Sequence, residues 1–126
     1  MAKILVVDDD PDVTEACSLF LKKAGHTVAC AHSRMEGMRK VEEEKPDLLI
    51  LDVMMEQPDD GMAMAQDLRR MNFKKPILML TSISKVTGLS YGGDEAVVPV
   101  DEFVEKPVEP AVLVAKVDEL LKKAEG

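Results

Sequence analysis

The 126-residue chain has no tryptophan, one tyrosine and three phenylalanines. Its core must come from Val, Leu, Ile, Ala and nine methionines, and 46% apolar residues are enough for one domain of ordinary size. Bases are scarce as well: 16 against 24 acids, a formal net charge of −8. That deficit excludes nonspecific nucleic-acid binding, which needs a basic face. It suits a solvated acidic surface and cationic partners. No apolar run nears the roughly 20 residues of a membrane span. Met1-Ala2-Lys3 leads into a short apolar strand, not a secretory leader. The two cysteines, Cys17 and Cys30, have no CxxC or Cys/His spacing and read as reduced core residues. These absences predict one cytoplasmic domain over residues 1–126, with no membrane or nucleic-acid partner.

What is present alternates short apolar runs with helical periods. Lys3 to Val7 is a strand with consecutive apolar residues from Ile4, as in a strand covered on both faces. It stops at Asp8-Asp9-Asp10. Asp10 before Pro11 predicts an N-cap, and Val13, Ala16, Cys17, Phe20, Leu21 and Ala24 predict an amphipathic helix closed by Gly25. Thr27 to Ala31 is a second strand. Ser33 and Glu36 have capping-box spacing for a second helix to about Glu44. Leu48 to Leu51 is a third strand, and Gly61 opens a third helix with Met64, Ala65, Leu68 and Met71 on one face. Pro76 to Leu80 is a fourth strand. Ser82 to Val100, with Gly88, Gly92, Gly93 and Pro99, predicts a short or distorted fourth helix. Glu102 to Val104 is a fifth strand, and a last helix starts at Pro110 with Leu113, Val117, Leu120 and Leu121 on one face. Five such units predict an α/β fold with a parallel sheet between two helical layers. The site of such a sheet lies at the carboxyl ends of its strands.

The polar residues fall at that edge. Asp8 and Asp9 end the first strand, Asp52 the third and Thr81 the fourth, and Lys106 follows the fifth. Singly each has an ordinary explanation, as a capping acid, a strand-end threonine or a surface lysine. Together they place three carboxylates, a hydroxyl and an ammonium in one pocket. Three clustered carboxylates repel one another unless a cation joins them, and Mg²⁺ favours oxygen ligands of this type. Lysine and threonine suit phosphoryl oxygens, and a carboxylate can accept a phosphoryl group. The methionines Met54, Met55, Met62, Met64, Met71 and Met79 read as packing residues. His26 and His32 have no partner at useful spacing and are given no role.

The segments ILVVDDD, LLILDVMM, ILMLTS and FVEKP resemble those of the receiver domain of two-component response regulators, over essentially the whole chain. The resemblance implies a flavodoxin-like (βα)5 fold with strand order 2-1-3-4-5. It implies a stand-alone phosphoacceptor that catalyses its own phosphorylation and dephosphorylation, not a turnover enzyme. Asp52 would be the acceptor. Asp8, Asp9, Asp52 and the backbone carbonyl of Met54 would hold Mg²⁺, and Thr81 and Lys106 would bind phosphoryl oxygens. Thr81 and Phe103 would form the switch, and Lys106-Pro107 would be a cis peptide. The donor would be a sensor histidine kinase or a phosphotransfer protein, and the output contact with a downstream target protein.

Some positions depart from the family pattern. Glu56 stands where Pro often follows the methionine, and Gly61 lies one residue later than is usual. The span from Thr81 to Lys106 is longer, and Phe103 lacks the hydroxyl of the commoner tyrosine. Met54 and Ile83, both apolar at positions that tune hydrolysis, predict slow loss of the phosphoryl group. Two other readings stay open: a phosphorylation-independent receiver acting as an interaction module, and an Asp-nucleophile phosphatase. A flavin binder is disfavoured, because three acids after the first strand would repel the flavin phosphate.

Overall fold

The computed structural model describes residues 2–53, 55, 60–82 and 100–125. The elements are β1 (Lys3–Val7), α1 (Pro11–Lys23), β2 (Thr27–Ala31), α2 (Arg34–Glu44), β3 (Leu48–Asp52), α3 (Asp60–Arg70), β4 (Ile77–Ser82), β5 (Glu102–Lys106) and α4 (Pro110–Glu125). The five strands form one parallel sheet in the order β2-β1-β3-β4-β5, as the family resemblance implies.

Strand side chains alternate between two cores because their period is two. Ile4, Val6, Leu48, Ile50, Leu78 and Leu80 face Cys17 and Leu21 of α1 and Leu113, Val117 and Leu120 of α4. Leu5, Val7, Leu49, Leu51, Ile77 and Met79 face Val41 of α2 and Met64, Ala65 and Leu68 of α3. Burial of both faces explains the unbroken apolar runs.

The caps follow from local chemistry. The Asp10 carboxylate accepts from the Asp12 N–H at 2.9 Å, and Pro11, which has no N–H to satisfy, opens α1. Ser33 Oγ accepts from the Glu36 N–H at 3.1 Å. Glu36 does not close the box on Ser33. Its carboxylate accepts from the N–H of His32, one residue earlier, at 2.7 Å.

Several boundaries move outward. β3 includes Asp52, β4 reaches Ser82 and β5 reaches Lys106, because pairing continues through Asp52↔Leu80, Thr81↔Glu105 and Ser82↔Lys106. The predicted apolar face of α3 loses Met71, which is 54% exposed. The helix ends at Arg70, and Asn72 at φ 69° turns the chain. Cys17 is buried, but Cys30, on the edge strand β2, is only half-buried; both are free thiols. The predicted fourth helix, and with it Ile83, lies outside the described residues, as do Met54 and Glu56.

Candidate functional site

Parallel strands deliver their carboxyl ends to one rim. Val7 pairs with Leu51, so Asp8 and Asp52 leave neighbouring strands at the same level. Asp8 is held on two sides: its N–H donates to the Ala31 carbonyl at 3.1 Å, and its Oδ1 accepts from the Asp10 N–H at 2.9 Å. The backbone leaving Asp52 is fixed as well, the Val53 N–H donating to Leu80 and the Val53 carbonyl accepting from Gly61.

Lys106 comes from β5 across the rim. Its Nζ lies 3.0 Å from Asp8 Oδ2 and 3.1 Å from Asp52 Oδ1. Asp8 is fully buried, and Asp52 and Thr81 are nearly so. Thr81 follows Leu80, the β4 partner of Asp52. Four of the five predicted polar site residues are therefore buried or bridged at one place, and Asp9 sits at its outer lip.

The charges respond to one another. Burial by itself pulls the Lys106 pKa down. The hydrogen bond and charge of Asp8, with those of Asp52, outweigh it, and the net shift is upward. Asp9 is pushed above the ordinary carboxylate range, first by lost hydration and then by the neighbouring Asp8 charge.

These residues fit a hard cation. One carboxylate oxygen each from Asp8, Asp9 and Asp52 lies within 4.8 Å of the others. Asp8 Oδ2 meets the Lys106 ammonium at ion-pair distance, and among the described residues no second donor reaches it. A buried carboxylate oxygen with unused acceptor capacity is what an oxygen-coordinated Mg²⁺ would satisfy. The Met54 carbonyl, the remaining predicted ligand, lies outside the described residues.

Phe103 pairs with Met79 and packs partly against the α2–α3 core. It borders a cavity of about 360 Å³ shared with Lys106, Pro107, Glu109 and Val112. The Lys106-Pro107 peptide is cis.

Both histidines have partners that sequence spacing does not reveal. His32 Nε2 lies 3.0 Å from Thr14 Oγ1, and Thr14 Oγ1 also bonds the Pro11 carbonyl. His26 Nδ1 accepts from the Ala2 N–H at 3.2 Å. Arg34, which carries no motif, bonds Asp67 and lies 3.7 Å from the buried Asp60.

A doubly covered parallel sheet with an acid–lysine pocket at its carboxyl rim defines a class, and sequence comparison gives it a family. The profile of the response regulator receiver domain matches residues 4–118. The chain belongs to that family, the receiver modules of two-component signalling. It is 36% identical to the alkaline phosphatase synthesis transcriptional regulatory protein PhoP of Bacillus subtilis (strain 168), an alignment covering 98% of this chain and 50% of the relative. The chain thus spans about half the length of that relative. Among solved structures, the chemotaxis protein CheY4 of Vibrio cholerae superposes with a TM-score of 0.83 at 28% identity, covering 95% of this chain and 98% of the other. A two-component response regulator from Clostridium difficile superposes with a TM-score of 0.85 at 25% identity, both chains fully covered. Among the described residues, no helix is long and apolar enough to cross a membrane.

Proposed function

We propose that residues 1–126 act as a phosphoacceptor receiver domain, with Asp52 as the acceptor. The observation that carries this reading is the Lys106 ammonium bridging Asp8 and Asp52 at the carboxyl rim. A carboxylate oxygen of Asp52 attacks the phosphorus of a phosphohistidine on a sensor kinase or phosphotransfer protein. The O–P bond forms as the P–N bond breaks, and the bonding pair leaves on the imidazole nitrogen, which takes a proton. This chain supplies the alignment for its own phosphorylation and the pocket for its own dephosphorylation. Asp8, Asp9 and Asp52, with the Met54 carbonyl, would hold Mg²⁺, which supplies charge neutralisation on the transferring group.

Lys106 already stands at the acceptor and pairs with a phosphoryl oxygen once the group arrives. The Thr81 hydroxyl donates to another. Its shift toward the phosphoryl group gives Phe103 a new place to pack, and the altered surface binds a downstream target. Such a switch moves a two-state equilibrium and leaves the fold intact.

The test is intact mass after incubation with Mg²⁺ and acetyl phosphate, comparing wild type with Asp52→Asn. One phosphoryl gained by wild type alone supports the reading. No gain, in a folded protein that also fails to bind beryllofluoride, favours a phosphorylation-independent interaction module.

A further inference from the structure

Arg34 breaks a local rule. It is the first residue of α2, at the positive end of the helix dipole, where a cation is disfavoured. Glu36 in the same turn is the residue type expected there. A residue that opposes its own helix needs compensation elsewhere, and such conflicts concentrate at functional sites.

The compensation comes from α3. The Arg34 guanidinium pairs through Nη2 with Asp67 and lies, through Nη1, 3.7 Å from Asp60 Oδ1. The Asp60 side chain is 8% exposed, so its charge is largely removed from water. Asp60 and Asp67 are seven residues apart and share one face of α3, with Met64 between them. Gly37, one turn along α2 from Arg34, has no Cβ to separate it from Met64 and Val7. The α2 helix therefore grips α3 at its start, middle and third turn.

The start of α3 is also the far wall of the acceptor. The Gly61 N–H donates to the Val53 carbonyl at 3.1 Å. A Cβ on Gly61 would overlap the carbonyl oxygen of Asp52. Gly61 thus sits in direct backbone contact with the Asp52–Val53 peptide, so a shift of one moves the other.

We infer that Arg34 is a positioning residue for the acceptor: by clamping Asp60 and Asp67 it seats Gly61 against the Asp52 peptide and fixes where the Asp52 carboxylate stands. This rests on Asp52 being the acceptor. Arginine suits the role because a planar guanidinium can hold two carboxylates at once, whereas an ammonium is a point charge.

The test follows phosphoryl gain by quenched intact mass, with saturating Mg²⁺ and acetyl phosphate, in wild type, Arg34→Met, Arg34→Lys and Asp67→Ala. Thermal melts and Mg²⁺ affinity are measured on the same proteins. The expected result is a maximal rate about tenfold lower in Arg34→Met and Asp67→Ala, the order of loss that small misplacement of a reacting group produces. Arg34→Lys falls with them, and raising Mg²⁺ to saturation does not restore the rate in any of the three variants. Lost stability alone lowers the melting temperature but leaves the maximal rate unchanged well below the transition. An unchanged rate with a lowered melt overturns the inference, and so does a wild-type rate in Arg34→Lys, which would reduce Arg34 to a charge. Asp67→Ala keeps the inference testable where Arg34→Met fails to fold. Absence of any phosphoryl gain in wild type overturns the acceptor reading and this inference with it; a wild-type gain matched by Arg34→Met overturns this inference alone.

Discussion

The backbone of Gly61 lies so close to that of Asp52 that no side chain fits between them. The neighbouring atoms are main chain, the Asp52 carbonyl group and Val53 Cα, which cannot rotate aside as a flexible side chain would. Gly61→Ala must push α3 off the end of β3. The expected cost is about 2–3 kcal/mol, the upper range for overpacking a tight interior. Urea unfolding followed by circular dichroism measures it, and phosphoryl uptake falls in the same variant.

Lys106 is the counter-ion of two buried carboxylates in the absence of metal. Lys106→Met removes the ammonium that bridges Asp8 and Asp52. Removing one partner of such a cluster costs about 3 kcal/mol, read as a lower melting point in EDTA. Mg²⁺ then replaces the lost cation, so the melting point rises more on adding Mg²⁺ in the variant than in wild type. Equal Mg²⁺-induced shifts in the two proteins would contradict the bridging role.

The Cys17 thiol is pushed from 9.0 up to about 11, chiefly by burial and then by the charge of Asp8. Cys30 is raised as well, again mainly by burial. Reactivity follows the thiolate, so iodoacetamide at mildly alkaline pH labels both slowly in the native protein and rapidly in urea. The linkage has a definite sign. A folded pKa above the unfolded one favours the folded state below the unfolded value, and that preference is lost as pH rises through the folded one. Native stability therefore falls between about pH 9 and about pH 11, by about 2 kcal/mol from Cys17. Cys17→Ala shows a shallower fall over the same window.

Burial and the Asp8 charge push the Asp9 carboxyl above the ordinary aspartate range, so protons compete with a cation for it more than for an ordinary aspartate. Mg²⁺ affinity is expected to weaken on acidification from about pH 7 to about pH 5. In Asp9→Asn the affinity is lower throughout and its pH dependence is reduced. Isothermal titration at the two pH values decides, and an affinity independent of pH in wild type would count against Asp9 as a ligand.

The acidic pocket was legible because a parallel sheet converts sequence order into spatial order. Asp8, Asp52 and Thr81 each end an apolar run, and one topology brings such ends to one rim. Lys106 was legible only with the others. The Arg34 clamp was not, because its partner Asp67 lies 33 residues away and an arginine early in a helix looks like a solvated surface residue. The bond between Thr14 and His32 spans 18 residues and equally leaves no local pattern. Met71 misled because helical periodicity continues past Arg70, while the turn at Asn72 depends on backbone geometry.

One-way strands also give the molecule unlike ends. The rim opposite the pocket is built from the turns that return each helix to the next strand. Among the described residues, every one in the left-handed backbone region lies there: Gly25, Lys45 and Asn72. Nothing proposed for Asp52 involves those turns. A dye or surface tether coupled near Asn72, beside the exposed Lys74, would hold the domain by the end away from the pocket and leave the acidic rim facing solution. The direction of the strands thus dictates how the protein should be immobilised to watch it work.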